Sequence, residues 1–273
     1  NLRQALPARL LRKVIYAFMT DYIILFGATV LAVLAVGFFG KRIGKRSIDL
    51  ISSFTGAFVI GIIVFHMLPE VYSELPPHTI GLCVMAGLLI QSVLDFFTKG
   101  IDHGHTHTPS CTHGRGHDDD GNMPLTVAMF VSLSLHTFIE SLPILSGGHI
   151  HEHEHVHHGL EIAGVSPLLA GIALHTVPMA MVLYIFLLRV VKKRSTALLL
   201  MAVFGLAGPL GMFAGQHISW LSEYYFQLLA VVVGILLHVS AVMLFDCDMA
   251  VYGKIKKLAV IVLGFAGAMI LTS

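Results

Sequence analysis

Two short stretches carry the chemistry of this chain. LHTFIE at 135–140 and LHTVPM at 174–179 each set a His beside a Thr in strongly apolar surroundings. His136 and Glu140 are four residues apart, so on a helix they share one face, where an imidazole and a carboxylate can converge on one cation. His175 begins the second stretch, but the residue four further on is Met179, a thioether that favours softer ions and brings no charge. A carboxylate at membrane depth is costly unless it is paired, protonated, solvated or metal-bound. His136, Glu140 and His175 together are therefore read as one polar ion site, with Met179 as a weak or occasional ligand.

Other polar groups in apolar surroundings are weighed beside them. His66 precedes Pro69 and Glu70 near the end of an apolar run, where the two side chains could collect ions at a mouth. His238 is read as a satisfied bundle histidine, hydrogen-bonded to a carbonyl. Pro69, Pro143 and Pro178 lack the N–H that would bond back to the carbonyls of Phe65, Ile139 and Leu174. The expectation is freed carbonyls and bends along a polar path; a plain packing kink is the alternative.

Two polar connections are rich in histidine. DHGHTHTPSCTHGRGHDDD holds His103, His105 and His107, and HIHEHEHVHH holds His149, His151, His153, His155, His157 and His158. Short His-rich tracts are metal-binding compositions, and neutral imidazole suits zinc, nickel or cobalt. Alternating His-x-His forms no closed tetrahedral cage, so adaptable auxiliary capture is expected instead of a fixed site. A solvated polar linker is the plain alternative.

The elements that must position these groups follow from composition. The chain has 273 residues, 56% of them hydrophobic and 12% charged. Soluble domains carry about twice that charge fraction, and they lack repeated apolar runs of membrane-spanning length. The expected fold is all-α, a polytopic membrane bundle of eight spans at about 22–39, 50–68, 78–98, 124–146, 164–188, 196–215, 224–245 and 257–272. The last is the most marginal in length. No alternating pattern of a barrel is present. Cys83, Cys111 and Cys247 give neither a disulfide framework nor a CxxC site.

Charge sets the expected topology. Lys41, Arg42, Lys45 and Arg46 lie in the first connection, Lys99 and Arg115 in the third, Arg189, Lys192, Lys193 and Arg194 in the fifth, and Lys254, Lys256 and Lys257 in the seventh. The second, fourth and sixth connections have none. The odd connections are thus expected in the cytoplasm and both termini outside. This makes 99–123 a cytoplasmic His-rich loop and 148–163 an external one. Residues 1–21, with Arg3, Arg9, Arg12 and Lys13, read as an interfacial amphipathic segment ahead of a transmembrane domain at 22–273. The chain begins with Asn1, without a signal-peptide pattern in its first twenty residues, and its true start is expected to have been trimmed or left out.

At these residues the sequence resembles the ZIP family of zinc and iron permeases. The likeness lies in the eight spans, the His-rich loop between the third and fourth, FHMLPE near the end of the second, HTFIE in the fourth, HTVPM in the fifth and GLAGPLG in the sixth. It implies import of a divalent metal into the cytoplasm through a site between the fourth and fifth spans. Carried over, His136, Glu140 and His175 match the primary site, Thr137 and Thr176 stand where Asn is usual, and Met179 and Gly208 replace two carboxylates. One metal site is therefore expected where the family often holds two.

The reading is a divalent-metal importer, with zinc the expected ion, and not an enzyme. Zn²⁺ or another divalent metal is its cargo, and no resident cofactor is required. The expected partners are metal ions and the lipid bilayer of a cell membrane, with no nucleic acid; a homodimer is left open. His66, Glu70, Thr137 and Thr176 are assigned to the entrance or pathway. Two other classes are weighed. One is a membrane metal sensor, or a relative that binds metal without useful flux. The other is an intramembrane zinc hydrolase drawing ligands from His66, His136, His175 and His238, with Glu140 as base. The chain has no H-E-x-x-H, no ATP-binding pattern and no membrane His-x4-Asp-His signature of nickel/cobalt exporters.

Overall fold

The computed structural model describes residues 8–40, 44–98, 123–144, 165–191, 193–245 and 251–273. Every regular element among them is helical: α1 (Ala8–Phe39), α2 (Lys45–Ile62), a π-helical turn (Ile63–Met67), α3 (Leu68–Glu74), α4 (Pro77–Thr98), α5 (Met123–Ser141), α6 (Pro167–Val190), α7 (Arg194–His217), α8 (Ser219–Glu223), α9 (Tyr225–Phe245) and α10 (Val251–Thr272). Seven helical stretches are long and apolar enough to cross a membrane, and a shorter apolar stretch, Thr126–Ser141, lies in α5. The protein is an all-α, polytopic membrane bundle. Among the described residues, each of the eight apolar segments of the sequence is largely helical.

Their boundaries differ from expectation in instructive ways. The short segment is the fourth and not the eighth. α5 stops at Ser141 because the residue before Pro143 is pushed out of the α region. The chain then turns, with the Leu142 N–H donating to the Ile139 carbonyl at 3.2 Å. The Ile139 carbonyl that Pro143 was expected to free is thus taken, which corrects that expectation. Pro178, in contrast, sits buried inside a continuous α6. Near Pro69 the second span runs unbroken from Arg46 to Glu74 by way of the π turn, where the Leu68 N–H reaches back to the Ile63 carbonyl. α1 is continuous through 21 and 22, so the basic N-terminal segment from Ala8 onward shares a helix with the first span.

Burial ranks the helices. In α6 61% of the span is enclosed and in α9 56%, against 17% in α10 and 22% in α4, so α6 and α9 form the centre and α4 and α10 the rim. The rim shows its large side chains outward (Leu82, Leu89, Phe96, Leu258, Val262 and Ile270), as a surface meeting hydrocarbon should.

Lipid tails are as apolar as leucine, so helices in a bilayer associate by close van der Waals approach over small residues. α7 meets α5 this way: a Cβ on Gly211 would lie 2.2 Å from the Phe138 carbonyl oxygen, and one on Gly215 would lie 2.0 Å from that of Leu142. α4 and α9 approach reciprocally, Gly87 against the Val231 carbonyl and Gly234 against that of Val84. α5 itself packs between α7 and α4. The Ser132 hydroxyl adds a bond from α5 to the Leu94 carbonyl of α4 at 2.8 Å.

Candidate metal centre

α5 and α6 bring the three expected ligands together. His136 and Glu140 lie one turn apart on α5, and His175 lies on α6 ahead of Pro178. Glu140 and His175 are fully buried and His136 nearly so. Glu140 Oε2 is 3.1 Å from His136 Nε2 and 3.9 Å from His175 Nε2. One ligand atom from each residue falls within 4.8 Å of the others, a span that can close around a single ion. The two imidazoles meet edge-on, with ring centroids 5.8 Å apart and planes at 73°.

The polar accounting favours a cation there. Neither oxygen of Glu140 and neither ring nitrogen of His175 has a hydrogen-bond partner among the described residues. Leaving such groups buried and unsatisfied costs several kcal/mol, roughly, for a carboxylate alone. Two imidazole nitrogens and one carboxylate are the donor set of many divalent zinc sites, in which a fourth position is left for water or another ligand.

The remaining predicted residues fall in four places. The Thr137 hydroxyl is buried without a hydrogen-bond partner among the described residues. The Thr176 hydroxyl instead donates to the Ile172 carbonyl of its own helix at 2.8 Å. The two threonines of the repeated LHT are therefore not equivalent, and only that of α5 keeps its proton for other use. Met179 is buried in an apolar cluster with Met129, Leu133 and Leu183. His66 Nε2 lies 3.9 Å from Glu70 Oε2, both part-exposed, and the Tyr225 hydroxyl of α9 donates to Glu70 Oε1 at 3.1 Å. His103, His105, His107, His149, His151, His153, His155, His157 and His158 lie outside the described residues.

Gly208 is a close-packed position beside the site. A Cβ there would meet Leu25 at 3.2 Å, the Ser141 hydroxyl at 3.4 Å and Thr137 at 3.6 Å. The position adjoins the Thr137 face of α5, and α7 packs against α5 there with little room for a side chain.

Two further residues were passed over in the sequence. Gln91, buried in α4, places Oε1 2.8 Å from His136 Nδ1. Its amide nitrogen donates to Asp95 Oδ1 at 2.5 Å, and Asp95 Oδ2 lies 2.8 Å from His238 Nε2 of α9. His238 is thus satisfied, as expected, but by a carboxylate and not by a carbonyl. Gln91 and Asp95 were visible as a polar pair four apart in an otherwise apolar span; what could not be read was that α4 would turn this face to α5 and α9.

No protein-family model and no curated protein sequence matches the chain.

Proposed function

We propose that this protein carries divalent metal ions, zinc first among them, across a membrane through a mononuclear site of His136, Glu140 and His175 between α5 and α6. The observation that carries the reading is the convergence of those three buried side chains from two membrane helices, with the Glu140 oxygens and the His175 nitrogens making no hydrogen bond among the described residues. The ligands sit on two different helices, so relative motion of α5 and α6 makes and breaks the site, as alternating access requires. The resemblance of HTFIE, HTVPM and FHMLPE to the ZIP permeases supports the same reading, with flux into the cytoplasm and His66 and Glu70 at the outer mouth.

One ion per site follows from the donors. Glu140 is the one carboxylate of the cluster, and Met179 and Gly208 supply no bridging anion. A second dication a few ångströms away would be left uncompensated in a low-dielectric bundle. The hydrolase reading draws less support: His238 is engaged with Asp95, and neither it nor His66 belongs to the cluster.

Uptake of ⁶⁵Zn into proteoliposomes holding the purified chain tests the reading. Saturable uptake that His175→Ala abolishes is expected. Zinc binding without uptake would replace the transporter by the sensor reading. Anomalous scattering from zinc-soaked protein tests stoichiometry, and two fully occupied peaks between α5 and α6 would overturn the single-ion site.

A further inference from the structure

We propose that Gln91, anchored by Asp95 and His238, is a positioning residue that fixes the His136 tautomer and so presents Nε2 as a ligand. This rests on the metal reading of the site given above.

The Asp95 carboxylate accepts hydrogen bonds and donates none, so the Gln91 group that faces its Oδ1 is the NH₂. The other end of the amide, Oε1, then faces His136 Nδ1 at 2.8 Å. An amide oxygen also only accepts, so the proton of neutral His136 belongs on Nδ1. Nε2 is left with its lone pair, and it is Nε2 that points to Glu140 Oε2 at 3.1 Å. Two electron-rich atoms thus face each other in the bundle interior, an arrangement that repels unless a proton or a metal cation lies between them. The same chain makes the imidazole a better donor, because a hydrogen-bonded Nδ1–H raises the basicity of Nε2.

Asp95 and His238 complete the device. His238 Nε2 occupies the second carboxylate oxygen at 2.8 Å, so Asp95 is held from α9 while it holds Gln91 on its own helix. Three helices, α4, α5 and α9, therefore contribute to the orientation of one ligand. Without Asp95 the amide could flip, offer its NH₂ to His136 and drive the proton to Nε2, which closes that nitrogen to metal.

Two readouts separate this role from a structural one. The first is ¹⁵N NMR of full-length, histidine-labelled, metal-free protein in nanodiscs, with the His136 signal assigned by His136→Gln. The wild type should show Nδ1–H alone, and Gln91→Met should show a mixture or Nε2–H. The second is zinc affinity, which should fall by about 10–100-fold in Gln91→Met, the range of lost outer-shell partners. Combining Gln91→Glu with Asp95→Asn restores an acceptor beside His136 and a donor beside that acceptor, and should recover most of the affinity. If Gln91→Met does not fold, Asp95→Ala reads the same chain from its less buried end, with the same direction of change. An unchanged tautomer in the folded variant, or unchanged zinc affinity, overturns the proposal. A wild type that shows Nδ1–H yet binds no zinc overturns the metal reading and not the orientation of His136.

Discussion

Replacing Gly211 by Ala adds one methyl group to α7, and its effect should appear at a site whose ligands are all on other helices. The new Cβ would stand 2.2 Å from the Phe138 carbonyl oxygen and 3.1 Å from the Ser141 Cβ. Ordinary contact begins at 3.4 Å, so the two backbones must part locally by about 1.2 Å. Both atoms belong to α5, in the turn that carries Glu140. A zinc site tolerates only about 0.2 Å in its bond lengths, so a shift of that size between α5 and the rest of the bundle cannot be absorbed by the ligands alone. Overpacking of this kind costs about 1–3 kcal/mol. If half of that strain is relieved on the apo side and half is charged to metal binding, zinc affinity falls by roughly 2- to 13-fold. Gly27→Ala is the control, since its Cβ would meet nothing within 4 Å. Thermal unfolding and zinc competition on both variants in nanodiscs would read the two quantities. A Gly211→Ala protein with wild-type melting and affinity refutes the close α5–α7 contact. A lowered melting temperature with unchanged affinity refutes the idea that this contact sets the ligand geometry.

Three other expectations follow from the same description. Glu140→Met should abolish zinc binding, because it removes the one carboxylate of the cluster; a folded variant that still binds zinc at wild-type affinity would contradict this. Deleting 149–158 should reduce uptake chiefly at scarce metal, as befits a capture segment, and loss of flux at every zinc concentration in correctly inserted protein would assign those histidines a larger part. A single cysteine introduced within 149–158 should react with an impermeant maleimide on intact cells, whereas reaction only after permeabilisation reverses the orientation drawn from Lys and Arg placement.

Much of the site was legible because its signals are local. The four-residue spacing of His136 and Glu140 fixes a shared face wherever the segment is helical, and an apolar context singles out any carboxylate. His175 was legible by repetition of the same LHT. Relations between helices were not. Nothing in LIQSVLDFF says that Gln91 faces α5 while Asp95 faces α9, since side-chain facing depends on rotations that close packing at Gly87 and Gly234 helps to set. The prolines make the same point. Pro178, Pro69 and Pro143 look alike as donor-less residues, yet one is accommodated in a continuous helix, one lies just beyond a π turn, and one follows a helix end.

The π turn at Ile63–Met67 has a consequence for the phase of the second span. A π turn holds about one residue more than an α turn, so everything after it is rotated by roughly 100° relative to an uninterrupted helix. Glu70 faces Tyr225 only because of that added rotation. Removing one residue, such as the exposed Val64, and letting the segment relax to a regular helix would carry Glu70 to a different side of the span while leaving its hydropathy and most of its length intact. The second span therefore contains a frame in the sense that a reading frame is one: its composition tolerates change at many positions, but its residue count between Ile62 and Glu70 does not.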